Sequence, residues 1–268
     1  MTPPSLRQPS FAWLDGPVGT LLETMGVPTP SPAWSALALR LRPEAVAATH
    51  AAWWDVGAGL HTASTFRTTP DAVGGLASRW TALAVHLARR AVPRGQPVLG
   101  SLAPLGDCWS IAPMRRDAPQ RYADQAARLA AAGVDGILVE TFLHADEART
   151  ATRAAAATGL PVWTSLTPGY APEHPSVPST DTLRSLRLAG ADVLLMNCGP
   201  LAQGDAWAER LATSGGPWGL YVNLFDTSPE AFAAAAQRWK RAGINVLGAC
   251  CGATPAHLRA ARSATEPP

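Results

Sequence analysis

The sequence predicts an α/β fold of the (β/α)8 barrel type, with all 268 residues in a single domain. Short, apolar, β-prone segments alternate along the chain with longer Ala-, Leu- and Arg-rich segments of helical period, and eight such pairs occur. Each pair is about 25 to 40 residues long, which suits a strand, its crossover helix and their loops. A doubly wound open sheet is the alternative, but such a sheet more often has five or six strands.

The predicted elements follow one another in strict alternation. The strands span residues 11–16, 59–66, 97–104, 136–142, 161–166, 193–198, 218–224 and 245–251. The helices span residues 43–56, 71–91, 119–132, 145–158, 180–188, 201–213, 229–242 and 255–263. Helix boundaries carry their own signals: Ser228-Pro229 and Thr254-Pro255 each pair a capping side chain with a proline at the first helical position. Gly133 lies where a helix should stop.

Three segments fall outside this alternation. Residues 26–32 follow the first strand and residues 168–179 follow the fifth, and both are rich in proline. Both are therefore predicted at the carboxyl-terminal rim of the barrel, where this fold places binding loops. We interpret the second mainly as an exposed loop that proline stiffens. Residues 1–10 are polar and are predicted to form a flexible amino-terminal tail.

The composition is that of an ordinary globular chain. The chain is 47% hydrophobic and 16% charged, which excludes a disordered protein. A net charge of +2 gives no electrostatic reason to expect nucleic acid or an anionic membrane as the partner. No apolar run approaches the about 18 residues of a membrane span, and the first ten residues do not resemble a signal peptide. We therefore expect a cytoplasmic protein.

Polar and thiol side chains stand at the carboxyl ends of the otherwise apolar strands. These residues are Asp15, Ser64, Ser101, Glu140, Ser165, Asn197, Cys198, Asn223, Cys250 and Cys251. Such groups are costly to bury unless they are paired or bound to a ligand. Because a barrel brings the carboxyl ends of all its strands to one rim, the pattern predicts a functional site there.

Three of these residues suggest a metal site. Cys198 ends the sixth strand, and Cys250 with Cys251 ends the eighth. Adjacent residues of a regular strand point to opposite faces, so both Cys250 and Cys251 can face one ion only if the backbone kinks, which Gly248 and Gly252 permit. Three thiolates would leave the fourth tetrahedral position of Zn²⁺ open, as a catalytic site requires. The alternative is that the thiols are small core hydrophobes.

The other candidates for chemistry are weaker. Cys108 follows the third strand rather than ending it, so we expect it to be a bystander, although a fourth thiolate would close the metal site and make it structural. The six histidines show no spacing typical of metal ligands. No glycine-rich phosphate loop precedes a helix, so no nucleotide cofactor is expected.

Eight segments of the chain match, in order, those of one enzyme family. They are LDGPVGTLLE at 14–23, PAWSA at 32–36, PEAVAATHAAWWDVGAG at 43–59, TASTF at 62–66, GSLAPLG at 100–106, VETF at 139–142, MNC at 196–198 and GACCGATPAHLRA at 248–260. On these segments the chain resembles the zinc-dependent homocysteine S-methyltransferases, which include the S-methylmethionine– and betaine–homocysteine methyltransferases. The last segment is highly specific, and the others are moderately or weakly so.

The resemblance implies an enzyme that moves a methyl group from a sulfonium donor, S-methylmethionine, to the thiol of homocysteine, giving methionine. The family's zinc ligands correspond to Cys198, Cys250 and Cys251. The substrate-binding residues that we expect are Asp15, Gly16, Trp34, Ser64, Glu140 and Asn197. Among them, Asp15 and Glu140 correspond to the residues that hold the amino group of homocysteine. Trp34 offers an aromatic face to a cationic donor.

Other functions remain open on the sequence. The thiols could bind zinc in a barrel without catalytic activity, because a fold does not guarantee a function. The methyl donor could instead be betaine, or the acceptor another thiol. Betaine-specific relatives carry tyrosines where this chain has Thr141 and Phe66, which argues against betaine. The first motif reads Asp15-Gly16-Pro17 where relatives usually have a second glycine, so the loop could hold its substrate differently.

Overall fold

The computed structural model describes residues 5–171, 173–174 and 176–266, and it shows the predicted α/β barrel. Eight parallel strands form one sheet in the order β1-β8-β7-β6-β5-β4-β3-β2. The strands are β1 Ala12–Trp13, β2 His61–Ala63, β3 Val98–Leu102, β4 Gly136–Phe142, β5 Val162–Leu166, β6 Val193–Pro200, β7 Trp218–Asn223 and β8 Val246–Ala249. A parallel bridge between Leu14 and Leu60 joins β1 to β2, so that the sheet closes on itself.

Each strand is followed by a helix that packs on the outside of the barrel. The helices are α1 Val18–Thr24, α2 Ala38–Leu41, α3 Pro43–Asp55, α4 Pro70–Val73, α5 Ala77–Ala91, α6 Ala118–Ala131, α7 Ala145–Ala156, α8 Thr180–Leu188, α9 Gly204–Ala212, α10 Pro229–Arg241 and α11 Pro255–Thr265. Their apolar residues recur at helical spacing: in α6, Tyr122, Ala126 and Leu129 are all buried. Over the described ranges, no helix has both the length and the apolar character needed to cross a membrane.

The connection between β1 and α3 is more ordered than the sequence predicts. It contains α1, α2 and a 3₁₀ turn over Trp34–Leu37, whereas the sequence indicates only a proline-rich loop. These helices have one or two turns, too few to show a helical period in the sequence. They form instead because Leu22 and Leu39 are buried in a small apolar cluster with α5. The predicted helix 71–91 is also divided, because Gly74 adopts a φ of 58° between α4 and α5.

Apolar side chains fill the interior of the barrel. This inner layer comprises Ala12, Leu14, Leu60, Leu99, Leu138, Trp163, Val193, Leu195, Tyr221 and Val246. A larger apolar cluster lies between the sheet and the surrounding helices. The barrel is therefore a packed core rather than a pore, and a ligand can bind only at one of its ends.

The amino-terminal segment lies across the opposite end of the barrel from the strand ends that carry the polar residues. The Trp163 indole donates a hydrogen bond to the Leu6 carbonyl at 2.7 Å, and the Leu6 side chain packs on the inner layer. Arg7 forms an ion pair with Asp192 at 3.0 Å. The sequence predicts a flexible tail over 1–10, but these contacts hold residues 6 and 7, while residues 1–4 lie outside the described ranges. Such contacts join distant parts of the chain, which is why local sequence does not predict them.

Close packing of β7 against its neighbours requires a glycine. A Cβ added at Gly219 would lie 2.3 Å from the Val246 carbonyl oxygen and 2.7 Å from Leu195 Cδ2. Gly59, at the start of the β2 segment, would by contrast place an added Cβ in open space.

We expect Gly219→Ala to lower the free energy of unfolding by about 1–3 kcal/mol, because the added methyl group forces strands apart in a packed sheet. Gly59→Ala is the matched control and should change it by less than about 0.5 kcal/mol. Urea denaturation followed by circular dichroism measures both. Equal stability of the two variants would contradict the packing described for β7.

Candidate active site and metal centre

A cavity of 380 Å³ opens at the carboxyl ends of the strands. Eight of the nine predicted site residues line it: Asp15, Gly16, Trp34, Ser64, Glu140, Cys198, Cys250 and Cys251. The ninth, Asn197, is fully buried behind the cavity wall. The rim of the barrel thus brings together residues from both ends of the sequence.

The three cysteines meet on one side of this cavity. The Cys198 sulfur lies 3.0 Å from that of Cys250, which lies 4.0 Å from that of Cys251, and all three lie within 4.8 Å of one another. Sulfur atoms bound at about 2.3 Å to one tetrahedral zinc ion lie about 3.8 Å apart, so Cys250 and Cys251 are near that spacing and Cys198 would have to move slightly away from Cys250. None of the three is in a disulfide. The cluster can hold one metal ion and leave one coordination position open to the cavity.

Cys198 reaches the cluster because β6 departs from regular strand geometry. Its φ is 53°, in the left-handed region, and the register with β7 shifts between Asn197 and Pro200. Few residues other than glycine adopt this backbone conformation, because it is energetically unfavourable. It persists only where surrounding contacts enforce it. This distortion interrupts the alternation of side-chain directions along β6, so that the Cys198 thiol faces the cavity.

The predicted kink after β8 is present, but only one of the two glycines forms it. Cys250 and Cys251 lie beyond the end of β8, and Gly252 adopts a φ of 79°. Gly248 is extended and has a different role: a Cβ there would lie 2.9 Å from Leu14 Cβ. Its missing side chain therefore lets β8 pack closely against the end of β1.

The three thiols differ in acidity. Hydrogen bonds from Cys198 and Cys250 lower the pKa of the Cys251 thiol well below its usual value. The hydrogen bonds with Cys250 and Cys251, together with burial, raise the pKa of Cys198. Cys251 is therefore the first thiol of the cluster to ionise. A metal ion would displace the remaining protons, so that its affinity should rise with pH.

Glu140 is a buried carboxyl group on β4. Ser101 Oγ donates a hydrogen bond to one oxygen, and the Tyr221 hydroxyl donates to the other at 2.9 Å. Burial raises the pKa of Glu140 to about 7, although the bonds from Ser101 and Tyr221 oppose the shift, and the charges of Asp15 and Cys251 add to it. A cationic group of a ligand at this position would favour the ionised carboxylate.

Asp15 lies at the end of β1, and its side chain is almost fully buried. Its Oδ2 accepts a hydrogen bond from the Thr62 backbone at 2.9 Å. Nδ1 of His61 and Nδ1 of His50 lie 3.7 and 3.9 Å from the same oxygen. Burial lowers the pKa of His61, against the influence of Asp15, so this imidazole is neutral at neutral pH. In the described part of the chain, no lysine or arginine pairs with Asp15 or Glu140.

Asn197 does not reach the cavity, contrary to the prediction that it binds substrate. Its Oδ1 accepts hydrogen bonds from the Thr141 backbone at 3.1 Å and from Ser165 Oγ at 2.8 Å, and its Nδ2 donates to Thr141 Oγ1 at 2.8 Å. Thr141 has a φ of 66°, which is rare for a β-branched residue. The amide thus holds the distorted backbone beside Glu140 and Cys198, and both its oxygen and its nitrogen bond within the protein.

Trp34 lines the cavity as part of an aromatic pair. Its ring stacks on that of Phe66 with the centroids 5.7 Å apart and the planes 8° from parallel. The Arg67 guanidinium lies 4.4 Å from the Trp34 centroid and 4.9 Å from that of Phe66. Arg67 is buried and does not line the cavity. Trp34, which is predicted to face a cationic donor, therefore already has one cation packed against it.

The other two predicted substrate residues have distinct surroundings. A Cβ at Gly16 would lie 2.3 Å from the Trp53 ring, so only glycine lets the loop after β1 pack against α3. Ser64 Oγ donates to Ser35 Oγ at 3.2 Å, which ties the end of β2 to the turn that carries Trp34. Both residues therefore shape the cavity wall.

Sequence reasoning misses several aromatic residues of the site. Tyr221, next to Glu140, is detectable because alternation along β7 points it inward. Tyr170 comes from the proline-rich loop that the sequence indicates to be a stiff connection. Asn223 Nδ2 donates to both the Tyr170 hydroxyl and the Cys198 carbonyl, and the Trp109 ring meets that of Tyr170 edge-on at 5.8 Å. Asn223 thus links Tyr170 to the backbone of Cys198.

Cys108 stands apart from the thiol cluster. It lines the cavity, and burial raises its pKa to about 11, so it stays protonated at neutral pH. The Cys108 sulfur is not part of the group of three sulfur atoms that lie within 4.8 Å of one another. This position agrees with the expectation that Cys108 is not a metal ligand.

The chain matches the family model of the homocysteine S-methyltransferases over residues 13–265. Its fold is similar to that of the Escherichia coli homocysteine methyltransferase MmuM in the metallated form, with 22% identity, coverage of 95% of this chain and 96% of that chain, and a TM-score of 0.80. The oxidized form of MmuM has 24% identity, the same coverage and a TM-score of 0.78. A methyltransferase from Methanosarcina mazei has 14% identity, covers 97% and 95% of the two chains, and has a TM-score of 0.61.

These structural likenesses show a shared fold, and the family match extends over nearly the whole chain. The match includes every residue of the cavity described above. Among the matched residues are the three thiols and the two buried carboxyl groups, which fold together at one rim. The chain belongs to the homocysteine S-methyltransferase family.

Proposed function

We propose that this protein transfers a methyl group from a sulfonium donor, S-methylmethionine, to the thiol of homocysteine, with Zn²⁺ held by Cys198, Cys250 and Cys251. The observation that carries the proposal is the convergence of three free thiols with two buried carboxyl groups on one cavity. The thiolate set suits Zn²⁺ because it provides soft ligands in a tetrahedral arrangement. The metallated form of the E. coli homocysteine methyltransferase further supports a metal-dependent reaction.

The carboxyl groups would bind the amino-acid end of homocysteine. Asp15 and Glu140 both line the cavity, and no basic residue of the described chain neutralises them. An ammonium group between them would form charge-assisted hydrogen bonds, which are stronger than neutral ones. The bound amino acid would then extend its side chain toward the cysteines, which line the same cavity.

The reaction requires a thiolate nucleophile. A free thiol has a pKa of about 8.5, and a Zn²⁺ ion held by Cys198, Cys250 and Cys251 would lower it enough to keep the homocysteine sulfur as a thiolate at neutral pH. The homocysteine sulfur then attacks the methyl carbon of the donor, a new carbon–sulfur bond forms, and the bond to the sulfonium sulfur breaks. The donor leaves as neutral methionine, so the step needs no general acid. The protein contributes position: the cysteines and carboxyl groups fix both ends of homocysteine.

Trp34 and Phe66 would contact the donor. Arg67 lies against this aromatic pair, which weakens its attraction for a second cation, so we infer that a carboxylate also contributes. Glu23 in α1 lines the cavity and supplies that charge. Phe66 and Thr141 stand where betaine-specific relatives have tyrosines, so the chain lacks the hydroxyl groups of a betaine cage.

Removal of one thiol should abolish stable zinc binding. We expect wild-type protein to carry about one zinc ion per chain after dialysis, and Cys251→Ser to bind zinc at least about 100-fold more weakly, since loss of a ligand costs more than loss of its outer partners. Cys108→Ser is the matched control and should keep its zinc. Metal analysis of the dialysed proteins measures the content. Undiminished zinc in Cys251→Ser would exclude the assignment of the ligands.

The charge of Glu140 should control binding of the amino acid. Methionine, which has no titratable thiol, is the probe, and metal-free protein avoids the charge of the ion. Because the pKa of Glu140 is about 7, its carboxyl group gains its negative charge between pH 6 and 8, and methionine affinity should rise by about tenfold over that range. Glu140→Gln should bind weakly and show no such rise. Isothermal titration calorimetry tests both, and an unchanged pH dependence in Glu140→Gln would count against this role.

The donor is tested by comparing methyl transfer from S-methylmethionine and from betaine to homocysteine. We expect turnover with the sulfonium, and Trp34→Ala should raise its KM while leaving the affinity for homocysteine nearly unchanged. Equal rates with betaine would overturn the donor assignment but not the thiol chemistry. A barrel without catalytic activity would show no turnover and no thermal stabilisation by millimolar homocysteine in the presence of zinc.

A further inference from the structure

Two buried histidines lie directly behind the carboxylate of Asp15. His50 is on the face of α3 that packs against the barrel, and His61 begins β2. Thr62 lines the cavity, so its neighbour His61 points the other way, toward the helices. Both imidazoles are completely inaccessible to solvent, and their rings are 6.4 Å apart. The only carboxylate of the described chain beside them is Asp15.

Apart from a weak contact between His61 and the Ala58 backbone, neither imidazole has a polar partner at hydrogen-bond geometry within the described chain. All four ring nitrogens are buried and unpartnered. Leaving a buried polar group without a partner costs about 1–3 kcal/mol, so most such groups in folded proteins are satisfied by the protein, by water or by a bound ion. Two adjacent imidazoles lack hydrogen-bond partners, and both lie close to the Asp15 carboxylate. This arrangement indicates that a ligand binds between the imidazoles and the carboxylate.

The geometry suits a metal ion better than direct hydrogen bonds. The separations of 3.7 and 3.9 Å between Asp15 Oδ2 and the two Nδ1 atoms are too long for hydrogen bonds. Nitrogen and oxygen ligands at about 2.1 Å from one tetrahedral ion lie about 3.4 Å apart. The candidate ligand atoms all lie within 4.8 Å of one another, as the three sulfur atoms of the cysteine cluster do. Each cluster is therefore compact enough to surround one metal ion.

We propose that Asp15, His50 and His61 form a second site for a divalent transition-metal ion such as Zn²⁺, separate from the three-cysteine site. Two imidazoles and one carboxylate are borderline ligands typical of Zn²⁺ and Fe²⁺ sites and differ from the soft thiolates of the first site. The ligands come from β2, α3 and the end of β1, so a bound ion would also tie α3 to the barrel.

The second site would compete with the substrate. Asp15 is shared, because its carboxylate lines the cavity and is also within reach of both imidazoles. An ion there would neutralise the charge that attracts the ammonium group of homocysteine, a consequence that rests on the proposed function. By linkage, an amino acid that occupies the cavity would weaken metal binding at the second site by the same factor.

The test begins with Co²⁺ titration of the metal-free wild-type protein. The first equivalent should show intense sulfur-to-cobalt charge transfer in the near ultraviolet, and a second equivalent should bind without adding to it. His61→Leu should retain the first equivalent and bind the second at least tenfold more weakly. His86→Leu, which replaces an exposed histidine on α5, is the control and should bind both. A second equivalent that binds equally well to His61→Leu, or no second equivalent at all, would overturn the proposal.

A second measurement separates this inference from the proposed function. In protein with all three cluster cysteines changed to serine, Zn²⁺ should still bind at about one ion per chain by calorimetry, and His61→Leu in that background should remove it. Saturating methionine should weaken this binding by at least threefold. If methionine leaves the Zn²⁺ affinity unchanged, the expected competition between the amino acid and the metal ion for Asp15 is wrong. Because the metal titrations involve no substrate or turnover, an inactive enzyme would leave the second site standing.

Discussion

The site depends on closure of the barrel at β1, its shortest strand. β1 contributes two residues to the ladder with β8 and is joined to β2 by one bridge between Leu14 and Leu60. Gly248 in β8 permits close contact between β8 and the end of β1, because any side chain at this position would clash with Leu14. This seam puts Asp15, from the first strand, beside the thiols that follow the last one. An open sheet would separate the two by its full width.

One buried amide connects the two halves of the site. Both polar atoms of the Asn197 amide form hydrogen bonds with Thr141 or Ser165, and these bonds support the left-handed backbone at Thr141. Glu140 precedes that position, and Cys198 follows Asn197 with a left-handed backbone of its own. The positions of the Glu140 carboxyl group and of the Cys198 thiol therefore depend on the same side chain. The strained residues, Thr141 in β4 and Cys198 in β6, thus lie where the proposed reaction requires precise placement of side chains.

The cavity is acidic, although the chain has a net charge of +2. Its ionisable groups are carboxyl groups, thiols and the Tyr221 phenol, while Arg67 does not line it. Every ligand that the proposed reaction requires is positive at the contact point: a metal ion, an ammonium group and a sulfonium. Burial raises the pKa of Glu140, so the empty cavity holds less charge than a loaded one. Ligand binding and ionisation of the site are thus coupled.

The sequence by itself determined the barrel, the rim that carries the site and most of the residues in it. Period and turn signals are local, and the carboxyl ends of parallel strands must share one rim, so the order of strands along the chain is enough to place the cysteines and Asp15 together. Only the tertiary structure decided the role of Asn197, the place of Tyr170 and the cluster around His61. The histidines have no regular spacing in sequence, and they meet because a strand packs against a helix. Contacts of this kind depend on register and packing between distant segments, and no local pattern encodes them.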